Sequence, residues 1–234
     1  SSPLIQLDPI FDIKKYTYLS EKYGLMPNND PNISTLDCLT GSILGNPFMF
    51  EREYEMRMEN YTYTNSITIT WTTYTYDSKG NRISQTHTQV LTGEVTAPKP
   101  NYYTSTWLIY GNGAAPNLKF SRNPSNINSF KDQKAIDKYC MKHQDDLAKR
   151  AQKELTKGKT YTPLGNTEFE LFFGALNRDN EVEFRLLFTP LAQKSMLDLI
   201  KDPHPYGDDF TFIKEGPLNF IHSSHMQSAN IFTT

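Results

Sequence analysis

Through much of the first half of the chain, apolar and polar positions alternate with a period of two. Ile67, Ile69 and Trp71 fall on one face of a segment whose other face carries Thr68, Thr70 and Thr72. That pattern predicts a strand with one buried and one wet side. The segment Ile67–Tyr76 and a second one, Arg82–Val95, flank Asp77-Ser78-Lys79-Gly80-Asn81, a composition suited to a hairpin tip. Tyr102–Tyr110, with Trp107, Leu108 and Ile109, predicts a further strand stopped by Gly111-Asn112-Gly113. Later, Val182, Phe184, Leu186 and Phe188 alternate with Glu183, Arg185 and Leu187. This too reads as a half-buried strand, with Phe184 and Leu186 on its core face.

Helical spacing appears in three places. Asp8–Tyr23 carries Ile10, Phe11, Ile13, Tyr16 and Leu19 on an irregular apolar face that ends before Gly24. A Pro/Asn loop over Met26–Ile33 follows. Ser129 is a plausible N-cap for a long helix from Phe130 to Leu155, closed by Gly158. There Ile136, Tyr139, Cys140, His143, Leu147, Ala151 and Leu155 recur at steps of three and four, while lysines and aspartates cover the rest. Thr189-Pro190 reads as N-cap and first residue of a helix carrying Leu191, Met196, Leu197 and Ile200.

Three stretches resemble the bacterial domain-of-unknown-function family 3137 (DUF3137). In that family a Phe-Glu-x-x-Phe element leads through an Asp-containing turn into a Val-Glu-x-Arg strand and then a helix opened by Thr-Pro. The counterparts here are Phe169, Glu170 and Phe173, then Asp179, then Val182, Glu183, Arg185, Leu186 and Leu187, then Thr189 and Pro190. Upstream, Asp37 to Phe48, with Gly41 and Gly45, is similar to the family's lead-in strand, and Phe210-Thr211-Phe212 through Phe220-Ile221 to its terminal hairpin. The Leu118–Lys159 region has no counterpart. The resemblance implies an uncharacterised domain of a bacterial membrane-associated protein, tethered by two spanning segments ahead of it and facing the cytoplasm.

Composition narrows the partners. A formal net charge of -2 argues against nucleic acid, whose binders carry a clear basic excess. Aromatics at 13% with abundant Thr point to sheet. No run of about eighteen apolar residues exists, so no helical membrane span is expected within the chain. Cys38 and Cys140 could form a bridge if they face one another, although free buried thiols are the commoner state for so sparse a count.

Candidate chemistry is thin. Asp208-Asp209, flanked by His204 and Tyr206, could hold a metal or act as acid and base, but Pro203, Pro205 and Gly207 read as an exposed loop. His222 and His225 have the spacing that shares a metal on a helix, yet Leu218–Ile221 reads as strand and Ser223-Ser224 as turn. Gly111-Asn112-Gly113-Ala114-Ala115 lacks the rest of a dinucleotide fingerprint or P-loop, and reads as a turn. Cys38 has no local base, and Glu183 with Arg185 suggests an ion pair or a backbone contact. Tyr61, Tyr63, Trp71, Tyr74, Tyr76, Tyr102, Tyr103 and Trp107 could stack on sugar, but are expected mostly in the core.

The expectation is one α+β domain over residues 1–234: a largely antiparallel, twisted sheet from Ile43 to Ile109, extended by Val182–Phe188 and Phe210–Ile221. The helices Phe130–Leu155 and Leu191–Ile200 pack on it. A pleckstrin-like split barrel is a special case of that order. The function expected is a non-enzymatic binding or scaffolding domain with a protein or membrane-proximal partner, and with no catalytic, cofactor or metal site. The alternatives are a metal-dependent hydrolase using Asp208 and Asp209, and a carbohydrate-binding sheet.

Overall fold

The structure is a computed structural model that describes residues 4–204, 206–228 and 231–232. The chain divides into two compact units, Ser1–Tyr54 with Thr104–Thr234, and Glu55–Tyr103. The elements in order are β1 (Ile5–Leu7), α1 (Ile13–Tyr23), β2 (Ile33–Ile43), β3 (Asn46–Tyr76), β4 (Arg82–Gly111) and β5 (Lys119–Arg122). A 3-10 turn (Ile127–Ser129), α2 (Gln133–Thr156), α3 (Thr167–Phe172), α4 (Glu181–Leu187) and α5 (Pro190–Lys201) follow. β6 (Phe210–Glu215), β7 (Leu218–Ser223) and α6 (Ser224–Ser228) close the chain. The α+β class is as expected, with seven strands among the described residues in the order β1-β2-β3-β4-β7-β6-β5. The sheet is antiparallel and open, so it does not close into a split barrel. Among the described residues no helix is long and apolar enough to cross a membrane.

In the first unit, the strands bury different residues on their two faces. Phe212 and Ile221, paired across β6 and β7, pack into a core built mainly by the helices. Phe120 lies at its centre, its ring 5.2–6.1 Å from those of Phe173, Phe184, Phe188 and Phe212. Ile109, Leu218 and Phe220 instead meet Leu19 of α1 with Leu25 and Met49 in a second cluster. Close approach fixes Gly41 in β2, because a Cβ there would lie 2.4 Å from the Gln6 carbonyl and from the Phe48 ring. The lead-in motif is thus a packing requirement of the β1–β2–β3 corner.

The segment Val182–Phe188 is helical, not extended. Seven residues of mixed pattern fit either period, and the caps decide. The Asn180 side chain accepts from Glu183 N, with Glu181 and Glu183 in the first turn and Arg185 in the last, charges that suit the helix dipole. Phe184 and Phe188 then share one face in the core, while Val182 and Leu186 are about 70% exposed (70% and 72%). The sheet position expected for this segment is filled by β5. Its outer edge is covered by the loop ahead of α4: Asp179 accepts from Lys119 N, and Asn177 from Ser121 N. That satisfies donors that an edge strand would otherwise offer to another chain.

Helix starts shift for similar reasons. Asp12, not a residue near Asp8, caps α1, and Asp8 is held instead by Lys15 and Thr40. Asp132 rather than Ser129 caps α2, accepting from Ala135 N, because Ser129 ends the 3-10 turn. Thr189 and Pro190 open α5 as expected. The second unit, Glu55–Tyr103, is a two-stranded ribbon whose tip is tied by Asp77, which accepts from Lys79 N and Asn81 N. Ile67, Ile69 and Trp71 are exposed there rather than buried, since the ribbon carries no helix of its own.

Cys38 and Cys140 are both free thiols. Burial, then the negative charges of Glu51, Asp37 and Glu53, push the Cys38 thiol up to about 11. Iodoacetamide at pH 7.5 is expected to label Cys38 far more slowly in the folded chain than in urea; equal rates, read by mass spectrometry, would contradict that environment. In urea denaturation, Phe184→Ala is expected to cost about 3–5 kcal/mol and Leu186→Ala no more than about 0.5 kcal/mol. Comparable losses at both positions would restore the strand reading.

Candidate functional site

Beside α5 the first unit contains a cavity of about 720 Å3. Ser195, Met196 and Leu199 of α5 form one wall, Phe210, Phe212, Ile221 and Tyr110 the sheet side, and Tyr206, Asp209, Ser223 and His225 a polar corner. A largely apolar cavity with a few convergent polar groups is the usual form of a small-molecule site.

The polar corner is held in place from beneath by a buried ion pair. The Arg122 guanidinium, on β5, donates through Nη2 to both Asp208 oxygens at 2.7 and 2.8 Å. It also donates to the carbonyls of Phe210 (2.9 Å) and Phe173 (3.2 Å), and lies over the Phe173 and Phe210 rings. Asp208 Oδ2 additionally accepts from Ser125 N and Oγ, each at 2.7 Å. Both side chains are fully enclosed. Burial pulls the Arg122 pKa down, and the facing Asp208 charge opposes that pull. A buried charge pair persists only when its hydrogen bonds are completed in this way.

Gly207 lets the loop reach that position. It has φ +65°, and a Cβ there would fall 2.3 Å from Asn128 Nδ2. The next residue after Asp208 then projects to the cavity side: Asp209 Oδ2 lies 2.5 Å from His225 Nδ1. The Tyr206 ring stacks on His225 at 3.6 Å and 2°. A carboxylate on Nδ1 fixes an imidazole's orientation and tautomer. In the same wall, Ser223 Oγ is buried and has no hydrogen-bond partner among the described residues.

The paired aspartates therefore have separate tasks, and the exposed-loop reading holds for neither. Asp208 is spent on Arg122, and Asp209 on His225. His204 is exposed and lines the same cavity as Tyr206 and Asp209. His222 faces away from His225: its Nδ1 meets the Thr106 carbonyl at 2.8 Å, and its ring packs on Trp107. Among the described residues no group of three or more His, Cys, Asp or Glu side chains is placed to hold a metal. The Gly111–Ala115 segment is a turn, with Asn112 accepting from Ala114 N.

The polar residues of the family-like motif are structural. Glu170 is buried against Arg178, which donates to it at 2.7 and 3.0 Å and to Glu181 at 2.7 Å. Glu170 also accepts from Tyr161 OH and Leu164 N. Burial lowers the Arg178 pKa, but the two carboxylates outweigh it and leave the pKa raised; burial and then the Glu170 charge raise that of Tyr161. Glu183 accepts from Asn117 N and Nδ2, and Arg185 donates to the carbonyls of Thr162 and Pro163. Of the rings proposed for sugar stacking, Tyr61, Tyr63, Trp71, Tyr74, Tyr76, Tyr102 and Tyr103 are exposed, while Trp107 is partly buried in the second core.

Arg122 and Arg178 carried no signal of their buried partners in the sequence, and Ser223, which read as turn, is the buried last residue of β7. Charge is normally a surface signal, and nothing local to Phe120-Ser121-Arg122 announces a partner more than eighty residues away. No family model matches the chain, and no curated protein or solved structure matches it either.

Asp208→Asn would leave the Arg122 guanidinium buried without its counter-charge and is expected to cost about 3–5 kcal/mol. Asp209→Asn, at a partly open position, is expected to cost less than about 1 kcal/mol. Urea denaturation of both variants checks the contrast, and a larger loss from Asp209→Asn would reverse the assigned roles.

Proposed function

We propose that the chain is a non-enzymatic binding domain whose ligand site is the cavity beside α5. The observation that carries this reading is the cavity itself: a mostly apolar volume of about 720 Å3 with a polar corner of Asp209, His225 and Tyr206, and with the exposed Asp198, Asp202 and His204 also on its lining. Such a site suits a flat or branched apolar molecule carrying a single hydrogen-bonding group, with the apolar walls supplying affinity and the imidazole edge fixing orientation. The resemblance to family 3137 supports placing that domain at a bacterial membrane, facing the cytoplasm.

A second reading, hydrolysis, has one specific observation in its favour. A carboxylate-oriented histidine and a buried, unpartnered serine hydroxyl, Ser223, line one cavity, groups that acyl-transfer sites combine as base and nucleophile. The metal-dependent version is disfavoured, because Asp208 has no ligand position left after Arg122 and Ser125.

Calorimetric titration with 2-naphthol separates these. The binding reading expects one saturable site, weakened at least about tenfold by Leu199→Glu, which places a charge at the exposed part of the apolar wall, and no turnover of p-nitrophenyl acetate above buffer. Ester turnover abolished by His225→Ala would make the hydrolase reading the leading one. Absence of any saturable heat would remove the cavity as the site.

A further inference from the structure

We infer that one face of the Glu55–Tyr103 ribbon is a docking surface for the interfacial region of a lipid bilayer. The register along the ribbon is the same at three places. Asp77 N donates to Asn81 O at 2.9 Å, Trp71 stacks on His87 with ring centroids 5.5 Å apart, and the Thr62 and Thr96 hydroxyls meet at 3.1 Å. That register sets Ile67 across from Leu91 and Tyr63 across from Val95. Side chains alternate between faces along each strand, so Tyr61, Tyr63, Ile67, Ile69 and Trp71 share a face with Leu91 and Val95. All seven are exposed, by 41–66%. The opposite face is hydroxyl-rich: Thr62, Thr64, Ser66, Thr68, Thr70 and Thr72 from β3, and Thr86, Thr88, Thr92 and Thr96 from β4, interrupted by Val90 and Glu94.

A contiguous apolar face backed by a hydroxyl-rich one is a candidate contact surface, and its properties select among occupants. A second copy laid face to face is too small a contact. Two strands about 4.8 Å apart and eleven residues long give a patch of roughly 350 Å2, about 700 Å2 for a pair, below the ~1,200–2,000 Å2 of stable interfaces. A sugar platform needs open ring faces, but Trp71 is stacked with His87, Tyr74 with Arg82 at 3.5 Å and Tyr61 with Lys99 at 5.0 Å.

Lipid fits, at one depth. Between residues 61–71 and 87–97 the face mixes Tyr and Trp with aliphatic side chains and has no Asp, Glu, Lys or Arg, while Lys99 lies over its Tyr61 ring at one end, a composition favoured at the boundary between headgroups and acyl chains. Full insertion is opposed twice. Asn65 and Gln89 lie within the same face and would be stranded in hydrocarbon. Among the described residues no further strand flanks 61–71 or 87–97, so the outer backbone groups would be unsatisfied there. Lying in the interface, with the threonine face toward water, satisfies both. Glu55–Tyr103 holds four cationic residues (Arg57, Lys79, Arg82, Lys99) and four acidic ones (Glu55, Glu59, Asp77, Glu94), so anionic lipid is not required.

Flotation of the whole chain with phosphatidylcholine vesicles tests this. The expected result is co-flotation that 0.5 M salt leaves unchanged. The paired substitution Ile69→Ser with Trp71→Ser is expected to lower the partition coefficient at least about tenfold, whereas Thr68→Ser with Thr70→Ser on the other face leaves it within about twofold. Circular dichroism of the variants, expected to be unchanged, shows that the ribbon survives. Failure of the unmodified chain to float, or an equal loss from the threonine-face pair, would overturn the proposal. So would release of a trapped dye, which would indicate spanning, a lipid-free dimer abolished by Ile69→Ser with Trp71→Ser, or saturable binding of a soluble oligosaccharide abolished by the same pair.

Discussion

The buried guanidinium of Arg122 is the constraint on which the main unit depends. A charge withdrawn from water costs several kcal/mol unless every donor is met and a counter-charge is in contact. Here the donors fix the positions of otherwise separate pieces: the Asp208 loop, the start of β6 at Phe210, and the end of the α3 segment at Phe173. Ser125, held on the same carboxylate, brings in the turn ahead of α2. The functional consequence follows by adjacency. With Asp208 locked inward, Asp209 is held beside His225, and Tyr206 lies against the imidazole.

A second buried network accounts for the polar residues of the motif most conspicuous in the sequence. Arg178 donates to both Glu170 and Glu181, and Tyr161 donates to Glu170, while Asn177, Asp179 and Glu183 cover β5 and the turn before it. The same short stretch thus supplies the aromatic core, an ion pair beneath it and the closure of an exposed sheet edge. Polar residues placed this way look functional in a sequence because they are specific, yet their specificity is toward the chain itself.

What could be read from the residues depended on whether the deciding interaction was local. Thr189-Pro190 is a local cap, and α5 begins there. The α+β class and the strand at Leu218–Ile221 also followed from nearby patterning, whereas the terminal hairpin was implied by the family resemblance. Val182–Phe188 misled because its alternation covers too few residues to separate two periods, and the cap at Asn180 outweighs it. The ribbon misled differently: alternation correctly predicts strands, but whether the apolar face is covered depends on a layer that the pattern cannot reveal. Of the cavity, Tyr206, Asp209 and His225 stood out individually, but their meeting rests on Arg122, whose long-range partner has no signature in its neighbours.

The two units should therefore differ in how their backbone opens. Residues tied to the Arg122 node can expose their amides only when the core comes apart, whereas a two-stranded ribbon with little buried apolar area can open locally. Native-state hydrogen exchange reads this directly. The account predicts that the Ser125 amide, bonded to Asp208, exchanges only with global unfolding and shares its denaturant dependence, while amides between Tyr61 and Val95 exchange by a lower-energy local opening. A Ser125 amide that exchanges as readily as those of the ribbon would contradict the claim that the buried ion pair holds the main unit and its cavity together.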